Sequence, residues 1–422
     1  MIALVDCNSF FCSVEKVFHP GLRGKPVCVL SSNDGCIVAL TPEAKALGLR
    51  RGDPIFKVRS IVEAHHVPIF STNMQLYAAM SQRVTSLLRQ SVLHVENYSI
   101  DESFCYLDGY EKIYNLEDYM REVAENIRLC TDIPVSVGIA PSKTLAKMGS
   151  KFAKKYKGYR NVCLIDNEEK RRKALQLFDL ADVWGIGRQT LARLQYFGIH
   201  TPLEFADQSE TWVKGRFSKP GYQTWLELNG IPCIDTAEIT RNQHICTSRS
   251  FGKMVSDLSS LKASVATFAA SCANKLRAQQ SAAQSVTVFL SSNRFRDDLE
   301  QYANAATHTF LTPTADTLEI TQAALRILQT IYRPGIQYKK SGVVVGDISA
   351  ADSVQGDLFD PVTRRPERRQ LMGAIDRLNQ RYGPKTVQLV VEGEKKQDWK
   401  VKAEHRSPNY LTCLDEILTV NI

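Results

Sequence analysis

The chain has 422 residues, 44% of them hydrophobic, with 53 Lys or Arg against 45 Asp or Glu and a formal net charge of +8. At roughly 150 residues per domain this length predicts about three domains, and the apolar fraction is enough to build their cores. No run of about 18 uncharged apolar residues occurs, and no basic stretch leads into a cleavable apolar segment at the N-terminus, so a soluble, cytoplasmic protein is expected. The eleven cysteines are an odd number, scattered without a C-x-x-C pair. That argues against a disulfide framework and a zinc site, and for reduced, mostly buried thiols. The positive balance agrees with a polyanionic partner and equally with plain solubility.

"MIALVDC" reads as a buried strand, and "SFFCSVEKVF" places Phe10, Val14 and Phe18 at helical spacing, so a strand turns directly into a helix. "KPVCVL" is a second buried strand, and "TPEAKALGL" a short helix with Pro at its first position. "HVENYSIDESFCYLDG" alternates as a hairpin does, with "IDES" across its middle and Asp101 and Glu102 directed to opposite faces. "IPVSVGIAPSKTLAKMGSKFAKKYKG" is a strand followed by a lysine-rich helix. Residues 1–165 thus form one α/β unit. Between Lys143 and Lys173 eleven basic residues face three acids, which predicts a basic ridge or a solvated helix face. From about Leu175 to Gly230 the pattern is helical with short loops. Two helix-and-strand units follow, 257–278 with "SVTVFL" and 315–332 with "KSGVVVGDI", and predict a four-stranded sheet with two helices on one face. The residues from 351 onward are polar and less periodic, a tail with some local structure.

Asp6, Asp101 and Glu102 are the carboxylates best placed to act together, because each lies on an apolar strand where a lone charge is costly. Clustered carboxylates repel one another, and a divalent cation relieves this; oxygen donors favour Mg²⁺ or Mn²⁺ over zinc. Two such ions would serve a phosphoryl displacement. The free amides of the helix after Asp6 form an anion site, and Phe11, one turn in, would pack against a nucleotide sugar. Strand-end acids facing water, and a pair of core phenylalanines, are the plainer alternatives.

"VDCNSFFCSVE", "SIDESF" and "GIAPSKTLAKMGSKFAKK", in this order and spacing, resemble the Y-family DNA polymerases. "SSNDGCIVALTPEAKALGLRRGDP", "DVWGIGR", "SRSFG" and the long tail are similar to the UmuC-type branch, the mutagenic SOS polymerases. The resemblance implies a multidomain α/β right-hand polymerase: a palm over 1–165 with small fingers inserted at about 23–75, a helical thumb with a helix-hairpin-helix over 166–240, an α+β little finger over 243–350, and a tail over 351–422 carrying a clamp-binding peptide. It makes Asp6, Asp101 and Glu102 catalytic metal ligands, with the Cys7 carbonyl as a fourth, for two Mg²⁺ ions that Mn²⁺ can replace. Phe11 falls on the steric gate, with Phe10 beside it as a further nucleotide contact, and Lys45 and Lys154 fall on triphosphate contacts. Pro42 stands where many relatives place a phosphate-binding tyrosine. Gly185, Gly187 and Arg188 of the hairpin, and Ser248, Arg249 and Ser250 of the little finger, become DNA contacts. "QGDLF" offers Gln355, Leu358 and Phe359 to a sliding clamp.

The implied activity is error-prone translesion synthesis on primer-template DNA with dNTPs, as an SOS response to DNA damage. The implied partners are the clamp, a UmuD-like dimer and a RecA filament. Two other readings remain open at this stage: a non-catalytic DNA- and clamp-binding paralogue, and a palm-fold nucleotide cyclase.

Overall fold

The computed structural model describes residues 1–236, 242–357, 359–360, 362–393 and 399–418. They fall into two compact units, one of residues 1–31, 35–239 and 405–422, the other of 32–34 and 240–404.

The first unit is built on β1 (Ile2–Cys7), which runs into α1 (Phe10–Phe18). A small sheet follows, β2 (Cys28–Leu30) with β3 (Ile37–Leu40), α2 (Pro42–Ala46), α3 (Ile55–Ala64) and β4 (Ile69–Ser71); its order is β3-β2-β4. The chain continues through α4 (Met74–Ser91), β5 (His94–Asn97), β6 (Glu102–Tyr106), α5 (Leu116–Thr131), β7 (Val135–Ala140), α6 (Lys143–Lys155) and β8 (Val162–Leu164). These strands make a five-stranded sheet of order β5-β6-β1-β7-β8, with β1 antiparallel to both neighbours. Both of its faces are covered, which is why β1 reads as a continuous apolar run. Ala3, Val5 and Cys7 share a core with residues of α4 and α5, whereas Ile2 and Leu4 share one with residues of α6. Asp6 continues the second set. Alternation therefore delivers its carboxylate to the face that α6 covers.

Helix α6 lies unusually close to the sheet. A Cβ on Gly138 of β7 would meet the Ala146 carbonyl at 2.0 Å, and one on Gly149 of α6 would meet the Gly138 Cα at 3.0 Å. Two facing glycines thus let helix and strand backbones touch. The N-terminus of α6 is capped by Ser142 and by the buried carboxylate of Glu227, which accepts from the Thr144 amide at 2.9 Å. Glu227 belongs to a helical region of α7 (Glu168–Leu177), α8 (Arg188–Tyr196), α9 (Pro202–Ala206), α10 (Glu210–Arg216) and α11 (Lys219–Leu228).

The second unit contains β9 (Ile245–Val255), α12 (Leu258–Ala278), β10 (Ser281–Ser292), β11 (Ala303–Thr314), α13 (Thr317–Ile331) and β12 (Tyr338–Ala350). The sheet order is β11-β10-β12-β9, antiparallel throughout, and both helices pack on it, as the duplicated pattern predicts. The polar tail departs from expectation. It holds an 18-residue helix, α14 (Arg365–Tyr382), docked through ion pairs rather than an apolar stripe: Arg365 to Glu319 and Asp360, Arg368 to Asp316, and Asp376 to Arg277. Among the described residues no helix is long and apolar enough to cross a membrane. All eleven cysteines are free, and six of them are buried.

Candidate active site

The hairpin between β5 and β6 turns at Tyr98–Asp101, so Glu102 is the first residue of β6 and Asp101 the last of the turn. Register then does what sequence spacing alone does not. Asp6 is paired across the strands with Glu102, and the Cys7 amide donates to the Asp101 carbonyl at 2.9 Å. Cross-strand partners project to the same face with Cβ atoms about 5 Å apart, so Asp6 and Glu102 are neighbours. Burial raises the Asp6 carboxyl above its usual range, and the charges of Glu102 and Asp101 push the same way, against the lowering influence of Lys154.

Two lysines of α6 answer this charge. Lys147 Nζ lies 2.9 Å from both oxygens of Glu102, and Lys154 Nζ lies 3.1 Å from Asp6 Oδ1. Asp101 instead accepts from the Ser99 hydroxyl at 2.6 Å. Among the described residues no three His, Cys, Asp or Glu side chains are gathered tightly enough to hold a metal as they stand. Their oxygens point to Lys147, Lys154 and Ser99.

Lys147 was not singled out by the sequence reading, although it shares a helix with Lys154, seven residues away. Its ammonium also sits over the rings of Tyr98, at 4.5 Å, and Trp184, at 5.3 Å. Four members of the expected basic ridge are paired with acids, and one of them is lost from the surface. Lys143, Lys147, Lys151 and Lys154 pair with Glu96, Glu102, Asp182 and Asp6, and Lys143 is fully buried. Lys155, Lys157 and Arg160 are exposed.

The two phenylalanines divide their roles. Phe10 is buried in the core at 3% exposure, which corrects the expectation that it contacts the nucleotide beside Phe11. Phe11 is half-buried and stacks on Tyr77, with centroids 4.5 Å apart and planes 17° from parallel. Ser9 starts α1 in the left-handed region and makes no side-chain cap, leaving the first amides of the helix beside Asp6 without one. In α2, Thr41 accepts from the Ala44 amide, Pro42 occupies the first position, and Lys45 is exposed.

Residues 5–151 match the impB/mucB/samB family, residues 242–358 match that family's C-terminal domain, and residues 369–420 match a domain of unknown function. Protein UmuC of Salmonella typhimurium is 39% identical over 100% of both chains. The chain belongs to the impB/mucB/samB family of Y-family DNA polymerases. Protein ImpB of Salmonella typhimurium is 38% identical over 98% of this chain and 97% of its own. DNA polymerase IV of Saccharolobus solfataricus is 34% identical over 47% of this chain and 56% of its own. Among solved structures, a Y-family DNA polymerase chimera built on Dbh superposes with a TM-score of 0.64 at 21% identity, over 83% of this chain and 100% of that one. The insertion ternary complex of Dbh DNA polymerase gives 0.53 at 20%, over the same shares. The fold is that of a right-hand polymerase with palm, small fingers, helical thumb and little finger.

In this Y-family polymerase the hairpin glycines are not equivalent. Gly185 has φ +94°, and its absent Cβ would lie 2.3 Å from Thr224 Oγ1, so glycine is required there by the fold. Gly187, just before Arg188 at the start of α8, faces open space. On β9, Ser248 and Ser250 pair with Gly342 and Lys340 of β12. Arg249, between them, pairs with Ser341 and lines a cavity with Phe268, Asn274 and Trp399. Gln355 is exposed, Phe359 is 82% exposed, and Leu358 lies outside the described residues.

Proposed function

We propose that this polymerase performs error-prone translesion synthesis by transferring a nucleotide from a dNTP to a primer 3′-hydroxyl, with Asp6, Asp101 and Glu102 as the catalytic carboxylates. The observation that carries this is the strand register that pairs Asp6 with Glu102 and puts Asp101 next to both. An oxygen-only donor set bearing this much mutually repelling charge fits hard divalent cations, and the Cys7 carbonyl completes it. Held by these residues, two Mg²⁺ or Mn²⁺ ions would supply activation of the hydroxyl and neutralisation of the triphosphate.

The chain's own residues do the rest. The amides of α1 and the ammonium of Lys154 receive phosphate oxygens, with Lys45 reaching from the fingers. Lys147 fixes the orientation of Glu102. Phe11, backed by Tyr77, fills the space a 2′-hydroxyl would need. Gly187 and the first amides of α8, with Arg188, hold a DNA phosphate, and Ser248 and Ser250 offer hydroxyls to the backbone on the little finger. Arg249, which is exposed, adds a guanidinium to them. The fingers enclose little of the nascent pair, which lowers selectivity and admits damaged templates. Phe359, with Leu358 and Gln355, docks on a sliding clamp, and a UmuD-like dimer and a RecA filament complete a cytoplasmic SOS assembly. Neither a nucleotide cyclase nor a non-catalytic paralogue finds support in the relatives.

Asp101→Ala tests the assignment. It is expected to abolish primer extension in Mg²⁺ while primer-template binding is retained. Near-normal extension would overturn it.

A further inference from the structure

We propose that residues 405–410, from the segment matching a domain of unknown function, form a strap that holds the sugar gate from behind and so sets how strictly ribonucleotides are refused. The inference rests on Phe11 being that gate.

The strap enters the first unit alongside β4. The Ser71 amide donates to the His405 carbonyl at 3.0 Å, and the His405 amide donates to Ser71 Oγ at 2.9 Å. Asn73, the N-cap of α4, donates from its side-chain amide to the Ser407 carbonyl at 2.8 Å. Ser407 then reaches inward. Its hydroxyl donates to Glu15 Oε1 at 3.0 Å, the same oxygen that accepts from the Tyr77 hydroxyl at 2.7 Å. Tyr77 is the residue on which Phe11 stacks. At the far end of α1, Tyr410 stacks on Phe18 with centroids 4.7 Å apart.

Glu15, Tyr77, Asn73 and Ser407 are all buried, so these bonds form in a low dielectric and leave little room for an alternative geometry. Glu15 has no other support on its second oxygen, which lacks a hydrogen-bond partner among the described residues. Without the Ser407 hydroxyl, only the tyrosine it must position would hold the Glu15 carboxylate. The path from strap to gate is therefore short and physical: Ser407 to Glu15, Glu15 to Tyr77, Tyr77 to Phe11. The strap positions the gate and touches no substrate.

The test compares kcat/KM for dCTP and CTP opposite template dG, using the full chain with whatever accessory factors support extension by the parent. Ser407→Ala is expected to lower sugar discrimination roughly three- to tenfold, the range one net hydrogen bond is worth. Ser407→Thr, which keeps the hydroxyl, restores it. On a Phe11→Ala background, Ser407→Ala adds nothing, because both act through one ring. Should Ser407→Ala not fold, Tyr77→Phe keeps the stacked ring, removes only the hydroxyl and carries the same test. Equal losses on dCTP and CTP, with discrimination unchanged, would reduce the strap to a structural element and overturn the proposal. Unchanged discrimination in Phe11→Ala itself would instead remove the gate reading beneath it.

Discussion

Lys143 separates a basic surface from a basic interior, and Lys143→Met is the variant that reads the difference. The ammonium is 2% exposed and lies 2.9 and 3.1 Å from the two oxygens of Glu96, itself 8% exposed. Tyr106 donates to Glu96 at 2.6 Å, and Lys143 donates to Thr236 at 2.7 Å. Removing one member of a buried pair costs about 3–5 kcal/mol, because the other charge is left behind. Glu96 keeps the Tyr106 and Thr236 hydroxyls, so the low end, about 3 kcal/mol, is expected. With a urea slope of about 3 kcal/mol/M, the midpoint falls by about 1 M. Three of the four tryptophans, Trp184, Trp212 and Trp225, lie in the first unit, so intrinsic fluorescence reports its unfolding. The double variant Lys143→Met/Glu96→Gln, which removes both charges, recovers at least half of the loss. Primer-template affinity, measured at fixed salt, stays within about twofold of the parent, because a buried ammonium releases no counterions on binding. A stable variant that bound DNA tenfold more weakly would refute this reasoning and return Lys143 to the surface.

Gly149→Ala places a Cβ 3.0 Å from the Gly138 Cα and 3.2 Å from the Cys163 carbonyl, both backbone, so α6 must rise from the sheet. A stability loss of about 1–3 kcal/mol is expected, with extension reduced as Lys147 and Lys154 shift, checked by thermal melting and a primer assay. The docking of α14 depends on acids held below their usual range: Arg365 lowers Asp360, and at Asp316 and Asp376 burial raises the carboxyl but is outweighed by Arg368 with the Glu319 and Leu318 amides, and by Arg277 with the Asn274 side chain. Depressed carboxyls stabilise fully above about pH 5 and lose this as pH falls through the ordinary carboxylate range, so hydrogen exchange in α14 should accelerate below about pH 4. Replacing Leu358 and Phe359 with alanine removes side chains each worth about 1.5–3 kcal/mol on burial. Extension on short linear DNA should survive and stimulation by a clamp should vanish; earlier melting with lost clamp-free activity would assign the pair to the fold.

The carboxylates were legible because strands impose a strict period. An apolar run ending in Asp6, and a hairpin carrying Asp101 and Glu102, leave few ways to pair, and the register that brings Asp6 to Glu102 is one of them. The pairing of the α6 lysines is invisible to a count of charges, which ignores phase. Lys143, Lys147, Lys151 and Lys154 recur every three or four residues, which puts them on one side of a helix. That side meets acids contributed by β1, β5, β6 and the 3₁₀ turn at Leu180–Asp182, whose positions no local pattern reveals.

The tail was hidden for a different reason. Periodicity finds helices that bury an apolar stripe, and in α14 only Met372 is buried. What docks this helix is "RRPERR", a run that reads as a solvated charge cluster. Its structural partner is the N-terminus of α13, where Asp316 already accepts from the Leu318 and Glu319 amides and also receives Arg368 at 2.8 and 2.9 Å. A capping aspartate is common, but one whose oxygens also meet a guanidinium fork binds two segments at once. The strap repeats this logic with one serine and a buried glutamate. In both places the contacts that seat the segment are mainly polar, with Met372 and Tyr410 as the apolar additions, because the surface it recognises is polar.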